Sequence, residues 1–214
     1  MVLLGCKPYM AGEVLRQQGV YEAVRHKLII SVLSGISPDQ IRRMVVGSDE
    51  TEEGIDVYVT RATPNIAARF GKSMTVVDGT SRLRPEMLEF TQWVFDCIGA
   101  TDIIGSDVAG VGAALAGASP AFLSVALDGL LDGAVAEGLK RPEAKKMLVQ
   151  VLDGLVEVLR RDDNMENLRQ SISSPRGTTI QGLLTLEESR VRFAFSRAIM
   201  TGAARFRAIG EESK

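Results

Sequence analysis

Histidine is nearly missing from this 214-residue chain, and His26 is the only one. Any Ser-His-Asp, Cys-His or histidine-metal chemistry would have to run through it. It sits between Arg25 and Lys27 in a charged patch and reads as a solvated surface side chain. Cysteine is almost as scarce. Cys6 and Cys97 cannot build a disulfide framework and have no metal-ligand spacing, so no metal centre is expected. With no secretory leader visible, a reducing, cytoplasmic setting is the expectation. An excess of one charge is also lacking. Lys and Arg number 25 against 27 Asp and Glu, which gives no basic face for nucleic acid or an anionic membrane. No uninterrupted apolar run reaches the ~18 residues that span a bilayer. A G-x-G-x-x-G phosphate loop following a first strand is not found either. The nearest candidate, Gly110-Val111-Gly112-Ala113-Ala114-Leu115, lacks the third glycine and sits inside a small-residue helical stretch.

Hydrophobic residues make up 45% and charged ones 24%, as in an ordinary globular protein of one large or two small domains. Apolar and β-branched runs predict strands at Val2–Cys6, Lys27–Val32, Ile55–Arg61, Ser73–Val77 and Thr101–Ile104. Helical stretches fall between them. Ala11–Arg25 is one. Ser37-Pro38-Asp39 starts another through Met44, and Arg84-Pro85-Glu86 a third to about Ile98. Alternation of this kind implies a mainly parallel sheet covered on both faces. After Gly105 the strand patterns stop. Gly105–Ser119 is crowded with glycine and alanine and reads as tight packing. Pro120–Glu137 is apolar almost all round, which predicts burial on more than one side and a subunit interface. Pro142–Arg161 is amphipathic, Asp162-Asp163-Asn164 breaks it, Val191–Ile209 is a last helix, and Gly210–Lys214 reads as frayed. The expected organisation is an α/β domain over 1–104 and an all-helical domain over 105–214.

The most informative stretch is Ser173–Glu188, a turn rich in hydroxyls, proline and glycine that runs into a helical pattern. Free N–H groups and the dipole make such a helix start a ready anion site. Thr178 and Thr179 can cap the helix or offer hydroxyls to a ligand, and Gly177 lets backbone approach closely.

Ser174-Pro175-Arg176-Gly177-Thr178-Thr179-Ile180, with Gly182, Leu183 and Leu186-Glu187, resembles the signature near the C-terminus of pyrroline-5-carboxylate reductases. The usual form there is S-P-G-G-T-T, so Arg176 stands in place of a glycine. The resemblance continues through Lys7-Pro8, Ser34-Gly35-Ile36-Ser37, Arg61-Ala62-Thr63-Pro64-Asn65, Gly117-Ala118-Ser119-Pro120-Ala121-Phe122, Asp128–Gly133 and Gly138–Arg141, in family order. Details such as G-A-S-P-A-F look closest to fungal members. It implies a partial Rossmann-like parallel sheet followed by an all-α dimerisation domain. It also implies a chain that begins at the fourth strand of the nucleotide domain, with Val2–Cys6 as an apolar edge.

Members of the family reduce 1-pyrroline-5-carboxylate to L-proline with NADPH or NADH, the last step of proline biosynthesis. By resemblance, Ser174, Gly177 and Thr178 hold the substrate carboxylate. Thr179 faces the imine nitrogen as the catalytic hydroxyl, and a hydroxyl can both donate and accept there. Lys7, Pro8, Val32, Leu33, Pro64 and Asn65 match positions on the nicotinamide side. Strand-end core is the other reading for Val32 and Leu33. The implied partners are a cyclic imino acid and a second copy of the chain, in a homodimer or larger homo-oligomer, with neither nucleic acid nor membrane. Two other readings stay open: a non-catalytic oligomerisation subunit, and a reductase of another cyclic imine of secondary metabolism, for which Arg176 is the residue to examine.

Overall fold

The computed structural model of the chain describes residues 1–47, 57–79, 82–161 and 164–212. Two compact units emerge: Met1–Ser119 with Ile199–Lys214, and Pro120–Ala198. The helical segments 109–119 and 199–212 therefore belong with the sheet.

Among the described residues the first unit is built on five strands in the order β1-β2-β3-β4-β5: β1 (Val2–Leu4), β2 (Leu28–Ser31), β3 (Tyr58–Thr63), β4 (Ser73–Asp78) and β5 (Gly99–Ile104). β1, β2 and β3 are parallel, as are β4 and β5, but β3 and β4 run antiparallel, with Ala62 opposite Val77. The sheet is thus mixed, where the alternating pattern implied a mainly parallel one. The cause lies in the connection. A parallel crossover needs a dozen or more residues. Pro64–Lys72 carries only a 3₁₀ turn, Ile66–Phe70, closed by Gly71 in the left-handed region at φ 66°. β1 lies at one edge of the sheet, where Leu3 points outward. The start of the expected strand at Ile55 lies outside the described residues.

The stretch Ala11–Arg25 divides into α1 (Ala11–Leu15) and α2 (Val20–Val24), because Gly19 takes φ 82° between them. Helix α3 (Pro38–Val46) starts as expected. Ser37 Oγ accepts from the Gln40 N–H at 3.2 Å while Gln40 Oε1 accepts from the Ser37 N–H at 2.9 Å, with Pro38 at the first helical position. One face of the sheet packs Ile29, Val57 and Val59 against α1 and α3, with Leu33, Ile36 and Ile41 at the centre. The other face packs Leu28, Ile30, Ala62 and Val77 against α4 (Pro85–Asp96) through Phe95.

Ala109–Ala113 forms α5, and a π-turn at Ala114–Ala118 continues it. The small residues here serve close approach. A Cβ on Gly112 would meet Ile104 Cδ1 at 2.4 Å, and one on Gly110 would meet the Phe206 ring at 3.3 Å. The candidate glycine motif is therefore helix interior packed on the sheet and cannot cradle a phosphate.

The second unit contains α6 (Ser119–Ala136), α7 (Arg141–Arg161), α8 (Met165–Ser171), α9 (Thr178–Glu188) and the first part of α10 (Val191–Glu212). Gly138, at φ 96°, turns the chain between α6 and α7, and Asp132 pairs with Arg141 across that turn. The break expected at Asp162 and Asp163 lies outside the described residues, but Asn164 caps α8 through its Oδ1, which accepts from Glu166 and Asn167. Helix α10 runs to Glu212 through the start of the tail expected to fray; 213–214 lie outside the described residues. Burial of α6 on several sides does not occur within one chain. None of its residues is buried, and Val125 is 73% exposed. On α7, Ala144 alone is buried, while Met147, Val149 and Val151 stand open. Joined end to end, α5, the π-turn and α6 form one helical run, Ala109–Ala136, whose length and composition would suffice to cross a membrane.

Candidate active site

Three parallel strands end side by side in the first unit, and their carboxyl ends carry the residues assigned to the nicotinamide side. The register Leu4, Ser31, Arg61 sets β1, β2 and β3 level, and the Val32 N–H extends the pairing to the Leu4 carbonyl at 3.0 Å. Lys7-Pro8 follows β1, Val32-Leu33 follows β2 and Pro64-Asn65 follows β3, so the fold brings all three pairs to one edge. In open α/β sheets that edge is where ligands bind.

The side chains differ in what they can offer. Lys7 is exposed, and Pro8 opens a 3₁₀ turn that the Lys7 carbonyl closes with the Met10 N–H at 2.9 Å. Val32 is partly exposed, whereas Leu33 is 2% exposed inside the core. Leu33 is placed as strand-end core, and its part in any site would be through backbone. The amide of Asn65 is committed to the fold. Its Oδ1 accepts from Ala67 N–H at 3.0 Å, and its Nδ2 donates to the Ala116 carbonyl of the π-turn at 3.0 Å. Its own N–H donates to Ser73 Oγ.

In the second unit, Ser174-Pro175-Arg176-Gly177 forms a β-turn closed by the Gly177 N–H and the Ser174 carbonyl at 3.0 Å. Proline at the second position and positive φ at the third are the type II pattern. The third residue is Arg176, at φ 58°, where glycine would be unstrained. Gly177 is held to glycine from another side, because a Cβ there would lie 2.4 Å from Ser174 Oγ. Gly177 is also the N-cap of α9, and no side chain caps that helix. Thr178 and Thr179 therefore occupy its first two positions and do not cap it, so the first N–H groups of α9 keep their unmet bonding capacity. Thr178 is exposed and Thr179 partly so. Arg176 is exposed and forms no hydrogen bond or ion pair with any described residue. Such a turn can grip a small anion by backbone donors while two adjacent hydroxyls remain available.

The buried pair of Arg61 and Asp78 is an additional feature that no sequence motif marks. Arg61 Nη2 donates to Asp78 Oδ2 at 3.0 Å, and Nη1 donates to the Ile36 carbonyl at 3.1 Å. Its guanidinium lies 4.8 Å from the centre of the Phe206 ring, and Ser106 Oγ donates to Asp78 Oδ1. Burial pushes the Arg61 guanidinium below its ordinary range, and the adjacent Asp78 carboxylate pulls the other way. The signal was present: an arginine inside a β-branched strand run requires a partner, because charged groups are rarely buried unpaired.

The pattern of the pyrroline-5-carboxylate reductase dimerisation family matches residues 108–209. The chain is 36% identical over 212 residues to Delta-1-pyrroline-5-carboxylate reductase kk1I of Curvularia clavata, a match covering 99% of this chain and 66% of that protein. It is 31% identical to pyrroline-5-carboxylate reductase of Schizosaccharomyces pombe, covering 93% and 68%. The chain thus spans about two thirds of the length of these relatives. Among solved structures it is similar to Plasmodium falciparum pyrroline carboxylate reductase with NADP bound, at TM-score 0.85 and 24% identity, covering 97% of this chain and 80% of that one. It is also similar to the Streptococcus pyogenes enzyme, at TM-score 0.82 and 26% identity, covering 97% and 75%.

Proposed function

The chain belongs to the pyrroline-5-carboxylate reductase family, and on that premise we propose that it serves the reduction of 1-pyrroline-5-carboxylate to L-proline with NADPH or NADH. The observation that carries the reading is the turn at Ser174–Gly177 opening α9 on Thr178 and Thr179, with no side chain capping the helix. Backbone donors at the head of α9, together with Ser174, hold the substrate carboxylate, and the dipole of α9 favours its charge. Gly177 allows the turn to close. Thr179 orients the ring nitrogen, accepting or donating a hydrogen bond as that nitrogen changes protonation. When bound, the nicotinamide supplies the hydride. Lys7, Pro8, Val32, Pro64 and Asn65 give it an edge to lie against, with Leu33 behind them. Positioning of this kind supplies much of the barrier reduction.

In this reading, residues 1–104 serve the nucleotide and 105–214 serve dimerisation and substrate binding, in a cytoplasmic homodimer or higher homo-oligomer. The open apolar surfaces of α6 and α7 support assembly, since an uncovered apolar patch of that kind marks an interface. The same surfaces favour a second reading, a non-catalytic oligomerisation subunit. NADPH titration of the purified chain separates the two, and lack of saturable binding ends the catalytic one. If binding is seen, Thr179→Ala reduces turnover far more than NADPH affinity. Equal losses in both would remove Thr179 from its role.

A further inference from the structure

An open cleft of ≈ 320 Å³ lies in the first unit between α3, the loop after β5 and the end of α10, and it contains none of the strand-end residues assigned to the nicotinamide. Its floor is Arg61 and the Phe206 ring. The charge of Arg61 is matched by Asp78, so the floor is electrically balanced. The rim is not. Arg43 reaches it from α3, Arg207 from α10 and Asp107 from the loop after β5. All three are exposed, and none forms a hydrogen bond or ion pair with any described residue. Among the described residues, two unpartnered guanidiniums and one unpartnered carboxylate therefore stand at the rim of a cleft floored by Arg61 and Phe206.

We infer that this cleft binds an acidic amino acid. Two carboxylates answer the two guanidiniums, whose planar forks match carboxylate geometry. An ammonium answers Asp107, which when ionised is an acceptor only. The short methylene stem lies on Phe206. The volume is at the lower end of the range for ligand sites, which suits an amino acid. The inference is independent of the proposed reductase activity, since it concerns other residues and is read by binding alone.

Titration calorimetry on the full chain at low salt tests it, with L-glutamate, glutarate, L-glutamine and inorganic phosphate as probes. L-glutamate saturates with a Kd of about 1 mM or tighter, and each of the other three binds about tenfold more weakly or worse. Arg43→Ala and Arg207→Ala each weaken L-glutamate about tenfold or more. Asp107→Asn abolishes the preference for L-glutamate over glutarate. These side chains are exposed, so an unchanged melting temperature verifies that the variants are folded. Absence of saturable L-glutamate binding overturns the inference. So does glutarate binding as tightly as L-glutamate, or phosphate competing on equal terms, which would mark an unselective anion trap.

Discussion

Replacing Asp78 by asparagine removes one charge and almost no volume, so it isolates the electrostatics of the buried pair. The carboxylate is 2% exposed and its partner Arg61 7%. In the wild type, Asp78 accepts from Arg61 through one oxygen and from Ser106 through the other. An asparagine keeps one acceptor, and its amide group must face either the Arg61 donors or the Ser106 hydroxyl. Arg61 remains charged at neutral pH and keeps the Ile36 carbonyl and the Phe206 ring, but has no counter-ion. Breaking a buried pair from one side costs about 3–5 kcal/mol, because the surviving charge stays desolvated. For a chain of this size each kcal/mol shifts the melting temperature by about 2–4 °C, so Asp78→Asn lowers it by roughly 6–20 °C. Urea denaturation should give the same free energy with the slope unchanged. The double variant Arg61→Met with Asp78→Leu regains most of the loss, since apolar replacement of a buried pair is often near neutral. A loss below about 1 kcal/mol for Asp78→Asn, the size of an exposed pair, would refute the claim that this pair is desolvated.

Three further outcomes follow from the structure. Arg176→Gly relieves a left-handed residue that costs roughly 1–2 kcal/mol, offset in part by glycine's greater freedom when unfolded. The net gain in denaturant stability is about 0.5–1 kcal/mol, and Arg176→Ala, which keeps its Cβ, does not reproduce it. Gly177→Ala drives a methyl to 2.4 Å from Ser174 Oγ, so under the proposed reductase function KM for the imino acid rises at least about tenfold (1.4 kcal/mol). Val125→Glu places a charge on the exposed apolar surface of α6, so light scattering detects a shift toward monomer, while circular dichroism retains the helical signal.

Much of the chain's local order follows from residues close together in sequence. Ser37-Pro38-Asp39-Gln40 carries its own capping box, and Arg84-Pro85 starts α4 where a proline at the first helical position predicts. The turn that opens α9 is legible for the same reason, since proline and a glycine at the cap act within a few residues. Ala11–Arg25 carries helical periodicity across Gly19, yet forms two helices because the left-handed backbone of Gly19 breaks it.

Other features depend on which segments meet in space, and no local pattern encodes that. The antiparallel step between β3 and β4 was set by a connection too short to cross over. The pairing of Arg61 with Asp78 joins adjacent strands and closes only when Ser106 and Phe206 arrive from distant parts of the chain. The cleft with Arg43, Asp107 and Arg207 on its rim likewise draws on three separated segments. Sequence determined where helices and turns begin, through caps, prolines and glycines that act on their neighbours. Tertiary structure alone decided strand direction, the buried charge pair and the surfaces left open, because each depends on contacts between residues far apart along the chain.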